Sequence, residues 1–131
     1  LNREEAARVT GRDLKDIEGL LQGMHDLGVK TIVITDGPEG AYASDGQQKL
    51  FMPIYPDIEP PIDRTGAGDA FASTLTAVLA RGGSLETALT WAPINSMHVS
   101  LFLGAQKGLL TEEKLKEFLG RAPEDYKPRP L

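Results

Sequence analysis

Cysteine is absent from this chain, so disulfides and thiolate metal sites are excluded. Histidine is scarce: His25 and His98 stand alone, without the spacing of a metal-ligand pair. No apolar run approaches the ~18 residues needed to cross a bilayer. The opening residues carry no signal-peptide pattern, and the expectation is a cytoplasmic protein with no membrane contact. Basic residues do not cluster. With 14 Lys and Arg against 19 Asp and Glu, the formal net charge is -5, which argues against a nucleic-acid backbone as partner. The chain also lacks any Gly-x-x-x-x-Gly-Lys-Ser/Thr, which argues against a P-loop enzyme. Repeats and low-complexity tracts are missing too. What is present is an ordinary globular composition, 40% apolar over 131 residues, enough for one compact domain with a core.

The local patterns predict a mixed α/β layout. Asn2 to Val9 reads as a short helix stopped by Thr10-Gly11. Leu14, Ile17, Leu20, Leu21, Met24 and Leu27 recur at helical spacing up to Gly28. Thr31–Thr35 is a β-branched run that reads as a buried strand. Ala41–Ser44 and Lys49–Pro53, around Asp45-Gly46, read as a hairpin. Tyr55 to Ile62 is proline-rich and reads as a connector or edge strand. A helix from about Gly66 to Ala80 is small or apolar nearly all round, so it is expected to be buried. Ser84 caps a further helix to about Phe102, with Pro93 as a kink. Thr111 caps a last helix through Leu119. The tail from Arg121 carries Pro123, Pro128 and Pro130 and is expected to be loose.

The most informative run is Asp63-Arg64-Thr65-Gly66-Ala67-Gly68-Asp69-Ala70-Phe71-Ala72-Ser73-Thr74. Two glycines flank an alanine at the start of an apolar helix. Unpaired N–H groups and the positive end of the helix dipole at such a place bind an anion such as phosphate. Asp69, in the first helical turn, is a carboxylate beside that anion. Its presence makes sense if it takes a proton from a hydroxyl that attacks phosphorus. Local physics alone also allows a Gly-rich turn with Thr65 as N-cap and Asp69 as a dipole-favoured helix residue.

The run closely resembles the C-terminal signature of the ribokinase-like (PfkB) family of carbohydrate and nucleoside kinases, which ends in Gly-Ala-Gly-Asp. Arg64 and Thr74 depart from the residues that the family prefers, and neither replaces a group that does chemistry. Three further stretches resemble family segments in the same order: Asn2-Arg3-Glu4-Glu5 with Val9-Thr10-Gly11, Thr31 to Ala41 with its Asp36-Gly37-Pro38-Glu39-Gly40 turn, and Gly104-Ala105-Gln106-Lys107-Gly108. The first of these is equally a capping box, and the second equally a hairpin turn.

The resemblance implies the C-terminal part of a ribokinase-like three-layer αβα sandwich, with a β-hairpin and stacked helices. Residues 1–120 would be the ATP-binding and catalytic portion, and 121–131 the tail. By the same resemblance Asp69 is the catalytic base, and Gly66, Ala67 and Gly68 form the anion hole. Asn2, Thr35, Asp36, Gly37, Gly40 and Asn95 are implied nucleotide contacts, although Asn95 reads equally well as a core hydrogen-bonding residue. Asn2 and Glu5 would serve Mg2+ through water. Asp63, with carbonyls near Thr65, Val99, Phe102 and Gly104, would serve K+. The Asp36–Gly40 turn and Asp69 are expected to flank one open cleft.

The implied activity is ATP-dependent phosphorylation of a hydroxymethyl group on a sugar or nucleoside. Family members are more than twice this length, and their N-terminal half carries the sugar contacts and the lid. The chain is therefore expected to be a fragment, inactive alone and prone to self-association or to pairing with the missing half. The competing expectation is a non-catalytic nucleotide-binding or interaction module derived from such a kinase. Trp91 and Phe102 are expected in the core, His98 in a structural role, and Lys107 on a solvated loop.

Overall fold

The computed structural model describes residues 1–131. In chain order the elements are α1 (Arg3–Thr10), α2 (Ile17–Asp26), β1 (Ile32–Thr35), a 3-10 turn (Gly37–Glu39), β2 (Ala41–Ser44), β3 (Lys49–Met52), α3 (Ala67–Ala80), α4 (Leu85–Val99), α5 (Glu112–Gly120) and β4 (Arg129–Pro130). The class is α/β. Where composition suggested one compact domain, there are two units: Leu1–Met52 with Arg129–Leu131, and Pro53–Pro128.

The first unit is a four-stranded antiparallel sheet in the order β1-β2-β3-β4, with α1 and α2. Thr35 faces Ala41 across the first turn, and Ser44 faces Lys49 across the second. Ile32 and Ile34 share a strand face and pack with Ala6, Leu20, Leu21 and Met24 into one apolar cluster. Alternate residues of β1 are only half-buried, so it is not the fully buried strand that its composition suggested. Leu1 and Asn2 run parallel beside β1: Asn2 bridges Thr35, and the Thr35 N–H donates to the Leu1 carbonyl at 3.0 Å.

Local chemistry sets the helix ends. The Asn2 side chain accepts from the Glu5 N–H, and the Glu5 carboxylate accepts from the Asn2 N–H, both at 2.8 Å. That capping box starts α1, and left-handed Gly11 ends it. The second helix begins at Ile17, three residues later than the apolar spacing suggested. Asp13 accepts from the Lys15 N–H and folds the chain into a turn, and Asp16 then caps the helix through the Gly19 N–H. These two acids offer the backbone a better start than Leu14, which stays exposed.

In the second unit α3 packs against α4, and α4 against α5. The buried positions of α3 are Ala70, Phe71 and Thr74. Its outer residues Ala72, Ser73, Thr76, Ala77 and Ala80 are exposed. The expectation of a fully buried helix is therefore corrected: α4 covers one stripe, and small residues tolerate water on the other. Helix α4 carries Pro93 within it and stops at Val99, three residues short of the expected end, where Leu101 and Phe102 tighten into i to i-3 bonds. The Tyr55–Ile62 segment forms no strand.

The tail also differs from expectation. Tyr126 is buried, donates its hydroxyl to the Thr90 carbonyl at 2.6 Å, and sets its ring edge-on to Tyr55. Arg129 and Pro130 pair with Phe51 and Leu50, and the Arg129 guanidinium lies over the Phe51 ring. A buried aromatic anchor and two paired residues outweigh the loosening effect of three prolines.

Candidate functional site

The Gly66–Asp69 turn is built from the loop that enters it. The Ile62 and Asp63 N–H groups both donate to the Ser100 carbonyl, at 2.8 and 3.1 Å. The Asp63 carboxylate accepts from the Thr65 N–H at 2.9 Å and from the Gly104 N–H at 3.1 Å. The Thr65 hydroxyl and amide, with the Gly104 amide, hold the Asp63 carboxyl below its ordinary pKa. One acidic side chain thus ties the loop before α3 to the segment after α4.

Gly66 is the N-cap of α3, at φ 81°, and no side chain caps this helix. Thr65 is therefore not the N-cap. The Ala67 N–H donates to the Arg64 carbonyl at 3.2 Å, and the Ala70 N–H to the Gly66 carbonyl at 2.8 Å. The N–H groups of Gly66, Gly68 and Asp69 have no acceptor within the protein. Of the three amides expected to form the anion hole, Gly66 and Gly68 are thus open, Ala67 is turned toward Arg64, and the amide of Asp69 joins the open pair. The Asp69 side chain is exposed and makes no hydrogen bond or ion pair. Open donors at an uncapped helix N-terminus are chemically suited to an anion, and an unpaired carboxylate in the same turn is chemically able to take a proton.

Two glycines of this turn differ in surroundings. A Cβ at Gly66 would lie 2.5 Å from the Ala105 Cβ and 2.9 Å from the Ala105 carbonyl oxygen, whereas one at Gly68 would meet nothing within 4 Å. The close packing is on the glycine-containing 104–108 segment, and the open space is beside Gly68.

Several expected contacts have structural duties. Asn2 and Glu5 form the capping box described above, and nowhere in the chain do three or more His, Asp or Glu gather to hold a metal. Asp36 forms an ion pair with Arg3 at 2.5 Å, and its N–H donates to the Gly40 carbonyl. Gly37 lies at φ 55° with open space above it, whereas a Cβ at Gly40 would meet the Met52 carbonyl oxygen at 2.4 Å. The Thr35 hydroxyl donates to the Leu1 carbonyl. Asn95 is buried between Thr74 and Leu110 with both ends of its amide bonded. These bonds support the core reading of Asn95.

Asp63, Thr65 and Gly104 come together through the bonds given above. The Val99 carbonyl accepts from the Phe102 N–H at 3.2 Å. His98 bonds the Gly108 carbonyl at 2.6 Å and meets the Phe102 ring at a tilt and the Phe118 ring edge-on, a structural position as expected. Sequence reasoning missed three participants. Arg3 fixes Asp36, Ser100 holds the loop through a backbone carbonyl, and Ala105 packs on Gly66. Arg3 and Ala105 lie inside the Asn2-Arg3-Glu4-Glu5 and Gly104-Ala105-Gln106-Lys107-Gly108 stretches, whereas Ser100 lies outside every stretch singled out in the sequence.

Comparison with known proteins bears on this geometry. The pfkB family carbohydrate kinase profile matches residues 1–100. A ribokinase from Bacillus subtilis is 38% identical over 89 residues, covering 67% of this chain and 29% of the relative. A cytidine kinase from Thermococcus kodakarensis is 42% identical over 88 residues, covering 65% of this chain and 30% of that protein. The chain thus spans about a third of the length of the curated relatives it matches. Among solved structures, Arabidopsis thaliana ribokinase complexed with ribose and ATP superposes with a TM-score of 0.81 at 26% identity, over 90% of this chain and 39% of that one. No helix is long and apolar enough to cross a membrane.

Proposed function

The chain belongs to the pfkB family of carbohydrate kinases, and on that premise we propose that it supplies the anion hole and catalytic base of an ATP-dependent kinase. The acceptor is a hydroxymethyl group on a sugar or nucleoside. The observation that carries this reading is the conjunction at the start of α3: open N–H groups on Gly66, Gly68 and Asp69, with the exposed, unpaired Asp69 carboxylate in the same turn. An anion receptor alone has no use for a carboxylate beside it. A phosphoryl-transfer site does, because the attacking hydroxyl must lose a proton as the new P–O bond forms.

In this mechanism Asp69 accepts the proton of the substrate hydroxyl. The open amides stabilise the charge that spreads over the transferring phosphoryl group. They are fixed before the substrate arrives, because Asp63 and Ser100 hold the loop, so little reorganisation accompanies the reaction. The Asp36–Gly40 turn, whose Gly37 has open space above it, is assigned to the nucleotide with Thr35. Beside their capping-box bonds, Asn2 and Glu5 would hold Mg2+ through water, and the ion would supply neutralisation of phosphate charge. Asp63 fits a K+ ligand in its chemistry: its carboxylate is kept ionised, and K+ needs several oxygens with little geometric demand. Residues 1–120 form the nucleotide and catalytic portion, and the sugar-binding half is the partner required for turnover.

The test is Asp69→Asn in the full protein, with ribose, fructose and cytidine as acceptors. We expect kcat to fall by at least ~100-fold with the ATP KM unchanged within a few-fold. Asn keeps the shape but cannot take the proton. Retained kcat with lost ATP affinity would assign Asp69 to nucleotide or metal binding instead.

A further inference from the structure

We infer that Asn95, through Thr74, is a positioning residue for the anion-hole turn, acting along a relay of hydrogen bonds that ends at Gly66. The inference rests on the kinase reading of that turn. Asn95 lies on α4 and Thr74 on α3, and both are buried. The Leu110 N–H donates to Asn95 Oδ1 at 2.9 Å. A backbone N–H can only donate, so the carboxamide is oriented by this bond and its Nδ2 faces Thr74, where it donates to Oγ1 at 2.8 Å. The Thr74 hydroxyl then has its own proton free, and donates it to the Ala70 carbonyl at 2.7 Å. Ala70 in turn donates its N–H to the Gly66 carbonyl at 2.8 Å. Every link has one donor and one acceptor, in a single direction, from the loop after α4 to the N-cap of α3.

The same loop reaches the turn from its other side. Gly104 donates to Asp63, and Ala105 packs against the place where a Gly66 side chain would be. The segment 104–110 therefore holds the turn at two points, one by direct contact and one through Asn95 and Thr74. A pair of helices packed by small and apolar residues alone can slide by fractions of an ångström. A buried, fully satisfied polar pair penalises each displacement that breaks it, because a stranded buried group is costly. The position of the open Gly66, Gly68 and Asp69 amides, and of Asp69 itself, follows the register of α3. That register is what Asn95 sets.

The experiment compares Thr74→Val/Asn95→Leu with Thr74→Ser in the full protein. The double variant replaces both partners by apolar groups of similar shape, so no buried polar side chain is stranded. Leu110 is only half-buried, so water can take its N–H. We expect folding to be retained, with kcat lowered at least tenfold, the ATP KM within a few-fold of native, and the Ala70 amide exchanging at least tenfold faster. Thr74→Ser keeps the hydroxyl and is expected to match the native protein in rate and exchange. Native kcat together with native Ala70 exchange in the double variant overturns the inference. So does a loss of activity that only follows a loss of folded protein. If the native protein phosphorylates no acceptor in the panel, the kinase reading falls, and the Ala70 exchange decides the relay on its own.

Discussion

At Gly66 an added Cβ meets the backbone and side chain of Ala105 within 3 Å, and the residue sits at φ 81°. Both facts demand glycine: a left-handed non-glycine residue costs about 1–3 kcal/mol before any clash is counted. Gly68 has neither constraint, for it is helical and faces open space. Opposite outcomes follow for two changes two residues apart. Gly66→Ala is expected to lower the melting temperature and activity together. Gly68→Ala is expected to leave the fold intact or up to about 1 kcal/mol more stable, because alanine favours helix. Its methyl group would still add bulk beside the open Gly68 and Asp69 amides, and on the proposed function phosphoryl transfer should fall. Thermal melts beside initial rates check both. A Gly68→Ala protein with native rates would show that the transferred group does not approach the space beside Gly68. The proposal of Asp69 as a base came from the run around it. The open Asp69 amide and the diverted Ala67 amide were not legible there, because those depend on which carbonyl the 64–67 turn offers.

Among the elements, α5 shows how helix charges join neighbours. Its first residue, Glu112, bonds Lys116 one turn along and Arg81 at the end of α3. Lys116 first, then Arg81, hold the Glu112 carboxyl down to about 2. A depressed carboxylate pKa contributes stability above the ordinary glutamate range, about 4.3, and that contribution is lost as pH falls toward the folded-state value. Glu112→Gln should therefore melt slightly lower than the native chain at pH 6. The difference should close between about pH 4.5 and 2, and shrink in about 1 M salt, since these charges are exposed and screened. Equal melts at every pH would show that the pairs contribute nothing. The caps at Asn2, Ser84 and Thr111 were legible in advance because each is a side chain bonding an N–H three residues on. The exposed side of α3 was not, since composition says what a helix tolerates and not what covers it. The anchored tail was hidden for a related reason: Tyr126 meets a carbonyl 36 residues earlier in the chain.

For the whole molecule, the decisive quantity is extent. This chain aligns over 90% of its length with a ribokinase complexed with ribose and ATP, yet it accounts for 39% of that protein. Fold and family could be read early because four ordered motifs fall within it. The identity of the acceptor could not, because relatives of comparable similarity are a ribokinase and a cytidine kinase, and no residue of this chain is assigned to the acceptor beyond the base itself. A base and an anion hole supply charge stabilisation. Rate also requires the hydroxyl to be held within reach of the phosphorus and water to be kept out, and on the proposed function those tasks fall to the portion that the relatives have in addition. The 131-residue chain by itself should therefore transfer no phosphate from ATP to ribose, fructose or cytidine. Mixing it with the remaining portion of the protein, produced separately, should restore transfer if the two parts reassemble. A coupled ADP-release assay, run with and without acceptor, reads both cases. Steady acceptor-dependent turnover by the chain alone would mean that it carries its own acceptor site, and the assignment of sugar binding to the rest of the protein would be wrong.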